Sequence, residues 1–153
     1  MILLIDTREK HPLEYKPDGK IINEVKSRTL NVGDYGAIKD GIECPIYFER
    51  KYVGDLLGTI TREHARFKRE IQRAKDNNMS IIIAIEGTLT DIYSGVKYSK
   101  ISGKAVVKAI ITMYHKYGVP HIFFKNRSEM MDYIKFFYDS YFRNYNYIIN
   151  ERK

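Results

Sequence analysis

From Gly33 to Asp55 the chain reads GDYGAIKDGIECPIYFERKYVGD. This stretch holds carboxylates at Asp34, Glu49 and Asp55 and an amine at Lys51. Cys44 to Lys51 (CPIYFERK) reads as a short buried strand, apolar until charge appears at its end. Residues two apart on a strand share a face, so Glu49 and Lys51 point one way and Arg50 the other. If Asp34, arriving from the preceding strand, faces the same spot, two carboxylates can hold a hard divalent cation. Lys51 would then stand beside it to orient or activate water.

Other site chemistries fail on spacing. His11, His64, His115 and His121 form no HxxxH or HExxH pair, and one cysteine cannot build a zinc constellation. Gly95 to Lys104 (GVKYSKISGK) superficially suggests a phosphate loop, but its glycines are too far apart and Ala105 stands where Ser or Thr is required. There is no GxSxG for an acyl-transfer serine. A hydrolytic metal site is what remains, with no nucleotide cofactor.

The elements that must position these groups can be read in order. MILLID (1–6) reads as a strand buried on both faces, and Asp6, Arg8 and Glu9 follow where a strand opens onto a site. Pro12, Pro17, Asp18 and Gly19 make residues 10–20 a connecting loop. Lys20 to Leu30 reads as a strand that ends at Asn31-Val32-Gly33-Asp34, with Gly33 letting the backbone bend so that Asp34 faces inward. Lys39-Asp40-Gly41 signals a turn, which makes a hairpin with the CPIYFERK strand.

From Tyr52 to Asp76 the chain is helical in character, with a weak point around Gly58 to Thr61. Phe67, Ile71 and Ala74 form a core stripe. Arg62, His64, Arg66, Lys68, Arg69, Arg73 and Lys75 occupy the other faces, where Glu63 and Glu70 can partly neutralise them. SIIIAIE (80–86) reads as a strand inside a sheet covered by helices. Residues 88–102 read as a polar loop, Gly103 to Tyr117 as a helix stopped by Gly118 and Pro120, and Val119 to Lys125 as a strand. Asn126 and Glu129 then resemble a capping box opening a final helix. Its face carries Met130, Ile134, Phe137, Tyr138, Tyr141 and Tyr145, whose helical spacing favours core or subunit interface over base stacking. Strands alternating with helices predict an α/β fold.

The chain has 153 residues, enough for one domain that buries roughly two-thirds of its unfolded surface. Its single cysteine, Cys44, excludes an intramolecular disulfide and fits a reducing compartment. The apolar run at the N-terminus breaks at Asp6, so neither a signal peptide nor a membrane span is expected there, and the protein is expected to be cytoplasmic. A balance of 26 Lys+Arg against 19 Asp+Glu, a formal charge of +7, favours a polyanionic partner.

Asp34 followed by Glu49-x-Lys51 is the D…(E)xK pattern of restriction-endonuclease-like nucleases. IDTRE (5–9), GDY (33–35), ERKYVGDL (49–56) and RFKRE (66–70) resemble, in order, motifs of the XPF/Hef-type structure-specific endonucleases. IIAIEG (82–87) and YGVPHIFF (117–124) resemble that domain's remaining strands. The resemblance covers nearly the whole chain, read as one nuclease domain over 1–153. It implies a restriction-endonuclease-like core, a central mixed β-sheet flanked by helices.

It also implies that Asp34 and Glu49 bind magnesium or manganese, with the Arg50 backbone carbonyl as a further ligand. Lys51 would position water and stabilise developing charge, Asp6, Arg8 and Glu9 would complete the site, and Asp55 would support it from the next helix. Arg50, Arg62, Arg66 and Arg69 are the implied phosphate contacts. Where relatives carry Gly-Arg before the basic helix this chain reads TREHA (61–65), which leaves Arg62 competing with Arg66. Family members prefer branched DNA such as flaps, forks and junctions and commonly pair through this domain, which implies a homodimer formed here through the C-terminal helices. The competing readings are a non-catalytic DNA-binding or scaffolding subunit of the same fold, and a junction-resolving nuclease.

Overall fold

MILLID places apolar side chains on both faces of one extended segment, which is stable only between two covering layers. In the computed structural model, which describes residues 1–60, 64–95 and 100–151, this segment forms strand β1 (Ile2–Asp6). Leu3 and Leu4, on its opposite faces, are both fully buried. β1 lies parallel to β2 (Glu24–Arg28) and antiparallel to β3 (Tyr35–Lys39). Asp40 and Gly41 both have positive φ, the requirement of a tight two-residue hairpin turn, and they reverse β3 into β4 (Ile42–Glu43). Beyond Cys44-Pro45, β5 (Ile46–Tyr52) pairs with β3 through Tyr35 and Phe48. β6 (Ser80–Glu86) and β7 (His121–Phe124) continue in parallel. The result is a mixed sheet of seven strands in the order β2-β1-β3-β5-β6-β7, with β4 beside β3.

Six helices among the described residues cover this sheet. On one face, α1 (Val53–Ile60), α2 (His64–Asp76) and α4 (Gly103–Tyr117) bury Leu56, Phe67, Ile71, Val106 and Ile110 against Ile83 and Ile85. On the other, α5 (Arg127–Arg143) buries Met130, Ile134 and Tyr138 against Phe48, Ile82 and Ala84, and α6 (Tyr145–Glu151) packs Tyr145 and Ile148 at its margin. Phe67, Ile71 and Ala74 form the expected core stripe of α2. None of the described helices is long and apolar enough to cross a membrane.

Five details differ from the sequence reading. The strand expected over Lys20 to Leu30 is only Glu24–Arg28, because the Asp18 carboxylate accepts the N–H groups of Lys20, Ile21 and Ile22 and holds them in a turn. Asp34 therefore does not end that strand but stands at the entrance to β3, after a bend at Gly33 with φ of +69°. The polar loop of 88–102 contains a short helix, α3 (Leu89–Tyr93), opened by a reciprocal capping box between Thr88 and Asp91. The final helix breaks at Asn144, so Tyr145 begins a separate one. Of the proposed Asn126–Glu129 box only half forms: Asn126 accepts the Glu129 N–H, while the Glu129 carboxylate accepts from Lys125 instead. The weak point at Gly58 to Thr61 falls partly on residues 61–63, outside the described residues.

Tyr138 joins this framework to the hairpin, since its buried hydroxyl lies 2.8 Å from the Tyr35 carbonyl and 3.0 Å from that of Ile46. Removing that hydroxyl leaves buried carbonyls without their donor. Tyr138→Phe is expected to lower unfolding free energy by about 1–3 kcal/mol, read as a lower urea midpoint at unchanged slope.

Candidate active site

The alternation of β5 divides its charged end between two faces of the sheet. Glu49 and Lys51 point toward the helical layer of α1 and α2, where Lys51 Nζ lies 2.7 Å from Glu49 Oε1. Both side chains are largely buried. Arg50 points the other way, toward α5. There its guanidinium, only 8% exposed, pairs with Glu9 at 3.3 Å and with Glu86 at 2.9 Å. Glu86 also lies 3.6 Å from Arg127 of α5, which in turn donates to the carbonyls of His11 and Pro12.

Asp34 reaches the Glu49–Lys51 side through a set of backbone bonds. Its N–H donates to the Phe48 carbonyl at 2.7 Å, its carbonyl accepts from the Asp6 N–H at 2.8 Å, and its carboxylate Oδ2 accepts from the Arg50 N–H at 2.7 Å. Residue 34 is thereby fixed to both neighbouring strands. Burial, then the charge of Glu49, push the Asp34 carboxyl up to about 8. Burial also raises the Glu49 carboxyl; Lys51 opposes that and Glu70 adds to it. Burial alone would lower the Lys51 ammonium, but Glu49, Asp34 and Glu70 together hold its pKa above the ordinary lysine value. Lys51 is a fixed cation at neutral pH.

The remaining expected site residues divide. Asp6 is buried, and its two oxygens are filled by the Arg8 N–H and guanidinium and by the Leu30 N–H, which hold its pKa below the ordinary value despite burial. Asp6 and Arg8 thus form a clasp that fastens the segment before Gly33 to the end of β1, with Arg8 also donating to the Leu30 carbonyl. Glu9 lies on the Arg50 side, although its charge is felt by Asp34 and Glu49. Asp55, in the first turn of α1, is exposed and hydrogen-bonded to the Tyr52 hydroxyl. A phosphate contact from the Arg50 guanidinium would require breaking its pairs with Glu9 and Glu86. Arg66 and Arg69 are exposed on α2, and Arg62 lies outside the described residues.

Sequence reasoning placed Glu70 among the acids that neutralise the basic helix, yet its Oε1 accepts the Gly33 N–H at 3.0 Å. The available signal was only the α2 periodicity, which puts Glu70 next to the buried Ile71.

The donor set fits a hard divalent cation. A buried carboxylate and a half-buried one beside it are pushed toward protonation, a penalty that a dication relieves. Among the described residues no three His, Cys, Asp or Glu side chains converge. Further ligands would be backbone carbonyls, such as that of Arg50, and water, the habit of magnesium.

Residues 5–137 match the family model described as the ERCC4 domain. The chain belongs to the ERCC4-domain family. The matched span of the ERCC4 domain contains Asp6, Asp34, Glu49, Lys51 and Glu70. Its fold is similar to that of XPF from Aeropyrum pernix, with a TM-score of 0.61 and 19% identity over 88% of this chain and 62% of that one. It is likewise similar to XPF from Aeropyrum pernix in complex with DNA, with a TM-score of 0.61 and 18% identity over 84% of this chain and 58% of that one. The ERCC4 domain described here spans about three-fifths of those chains, and at such identity the likeness is one of fold. No curated protein matches the sequence.

The raised Asp34 pKa has a consequence for stability. A group that binds its proton more tightly folded than unfolded stabilises fully below its unfolded pKa and loses that contribution as pH rises through the folded one. For Asp34 the window runs from about 4 to about 8. Asp34→Asn keeps an acceptor for the Arg50 N–H and removes the charge. In metal-free protein it is expected to melt higher than wild type at pH 8.5, the advantage shrinking toward pH 4; a pH-independent difference would show that Asp34 titrates normally.

Proposed function

We propose that this chain is a divalent-metal-dependent endodeoxyribonuclease that hydrolyses phosphodiester bonds in branched DNA, with residues 1–153 acting as one nuclease domain. The observation that carries this reading is the Glu49–Lys51 pair facing the acid that the Arg50 N–H holds in place. Asp34 and Glu49 would hold magnesium or manganese together with the Arg50 carbonyl. When bound, such an ion polarises a phosphoryl oxygen and lowers the pKa of its water. The protein's own part is positional and electrostatic. Lys51, kept protonated by Glu49 and Asp34, offers its ammonium to charge that develops on the phosphoryl oxygens or to the attacking water. Asp6, Arg8 and Glu9 serve through the backbone they fasten: Asp6 and Arg8 hold the approach to Gly33, and Glu9 holds Arg50.

The fold likeness to an XPF structure in complex with DNA supports DNA as the substrate, as does the excess of basic residues. Arg66 and Arg69, with Arg62, supply cations for the phosphate backbone from α2 and its approach. A nuclease of this kind works inside the cell. The C-terminal helices supply a candidate homodimer surface. A cleft of about 690 Å³ runs between Ile46, Tyr133, Phe136, Phe137 and Tyr147, with Phe136 53% and Tyr147 68% exposed.

The test is cleavage of labelled flap, fork, four-way junction and plain duplex DNA with magnesium, manganese or chelator. Wild type is expected to cut only with metal and faster on the branched forms. Glu49→Gln and Lys51→Ala are each expected to lower the rate by at least about 10²-fold. Binding without cutting under any metal would leave a scaffolding subunit.

Salt dependence measures the electrostatic share of binding separately. For Arg66→Ala/Arg69→Ala, the slope of log affinity against log salt should fall by about 2 if both contact phosphate. An unchanged slope would remove α2 from the interface.

A further inference from the structure

Glu70 is a half-buried acid on a helix whose exposed charges are mostly basic, and its carboxylate turns inward. It accepts the N–H of Gly33, the residue immediately before Asp34. The backbone there has little slack. Gly33 has φ of +69°, and a Cβ on it would come within 2.9 Å of Tyr47 Cβ and 3.1 Å of the Phe48 carbonyl oxygen. The next N–H, that of Asp34, goes to the same Phe48 carbonyl. Two consecutive amides are thus held by two different elements, Gly33 by α2 and Asp34 by β5.

Rotation of the peptide units around residue 33 is what would re-aim the Asp34 side chain. The Phe48 bond restrains the far side of that joint, and the Glu70 bond restrains the near side. A hydrogen bond accepted by a carboxylate is also stronger than one accepted by a neutral oxygen. We propose that Glu70 is a positioning residue: through the Gly33 N–H it fixes the turn that aims Asp34, and so makes the geometry of the site depend on the seating of α2. The inference rests on the nuclease reading for its catalytic consequence, though not for the hydrogen bond itself. The same helix presents Arg66 and Arg69 outward. The element that would seat against a phosphate backbone is therefore the one that holds the acid's turn.

Three variants separate the bond from the charge. Glu70→Gln keeps an acceptor and loses the charge; Glu70→Ala loses both; Glu70→Met fills similar space without the carboxyl, should alanine not fold. Amide exchange by NMR on metal-free protein reads the turn directly. The Gly33 N–H is expected to exchange at least about tenfold faster in the alanine or methionine variant while amides of β6 are unchanged. In Glu70→Gln it should stay near wild type. In the cleavage assay the alanine variant is expected to lose about 10- to 100-fold in kcat. Its KM for DNA should stay within about twofold, and glutamine should restore kcat to within about threefold.

Wild-type kcat in Glu70→Ala, a glutamine variant as slow as alanine, or unmoved Gly33 exchange would each overturn the proposal. A rise in KM at unchanged kcat would do the same by making Glu70 a DNA contact. Should wild type itself never cut, the nuclease reading falls, and the exchange experiment alone decides whether Glu70 holds the turn.

Discussion

Asp34 is where three strands meet, and the hydrogen bonds around it determine the rest of the site. Its N–H, its carbonyl and one carboxylate oxygen are bound to Phe48, Asp6 and Arg50 respectively. Two of these partners lie on β5 and one on β1, so the acid cannot move without disturbing the pairing on both sides of β3. The bond to the Arg50 N–H has a second effect. It delivers a side-chain acceptor to a backbone donor next to Glu49 and Lys51, which brings the carboxylates close enough for Glu49 to raise the Asp34 pKa. The like-charge repulsion that a cation would relieve follows from backbone geometry.

The period of two along β5 gives the ERK triplet two different tasks. Glu49 and Lys51 face the α2 side as a buried, mutually neutralising pair. Arg50, between them, anchors a separate chain of charges through Glu9, Glu86 and Arg127 to the loop at His11 and Pro12. A buried arginine left without carboxylates would be costly, and here two acids from different elements compensate it. Its structural effect is to tie β5, β6, α5 and the segment after β1 together directly behind the site. Glu9, three residues beyond Asp6, belongs to this rear network although its sequence neighbours belong to the front.

That division marks how far the site was legible in the sequence. The β5 face assignment was, because the charges sit inside a strand whose alternation fixes their direction. The bend at Gly33 was too, since a glycine before an acid at a strand boundary has few other uses. Glu9 was not: β1 ends at Asp6, the Glu9 N–H turns back to the Asp6 carbonyl, and beyond a strand end no period predicts direction. Glu70 was hidden for a different reason. Its spacing to Lys and Arg neighbours satisfies the usual helix pairing, and only the tertiary packing of α2 reveals its partner on the Gly33 turn. Most of the fold followed from apolar runs such as SIIIAIE. Lys20 to Leu30 misled because seven polar or charged residues in that stretch signal an edge strand that Asp18 shortens further.

If the proposed function holds, an acidic pocket that receives a polyanion faces an electrostatic problem that the surrounding charges would address. On the proposed nuclease reading Glu49 and Glu70, and Asp34 once it gives up its proton, would place negative charge where a phosphodiester would have to arrive, with Lys51 the cation set directly among them. At physiological salt the screening length is about 8 Å, so a phosphate at the surface responds mainly to the charges nearest its own path. α2 is the element that would supply those, with Arg66 and Arg69 outward on the same helix whose Glu70 points inward. The helix therefore carries both signs in layers, cations outside and an anion toward the turn. On the nuclease reading, such layering would let a backbone phosphate bind beside the pocket before any acid is approached, and would leave the inner repulsion to be met by a bound cation.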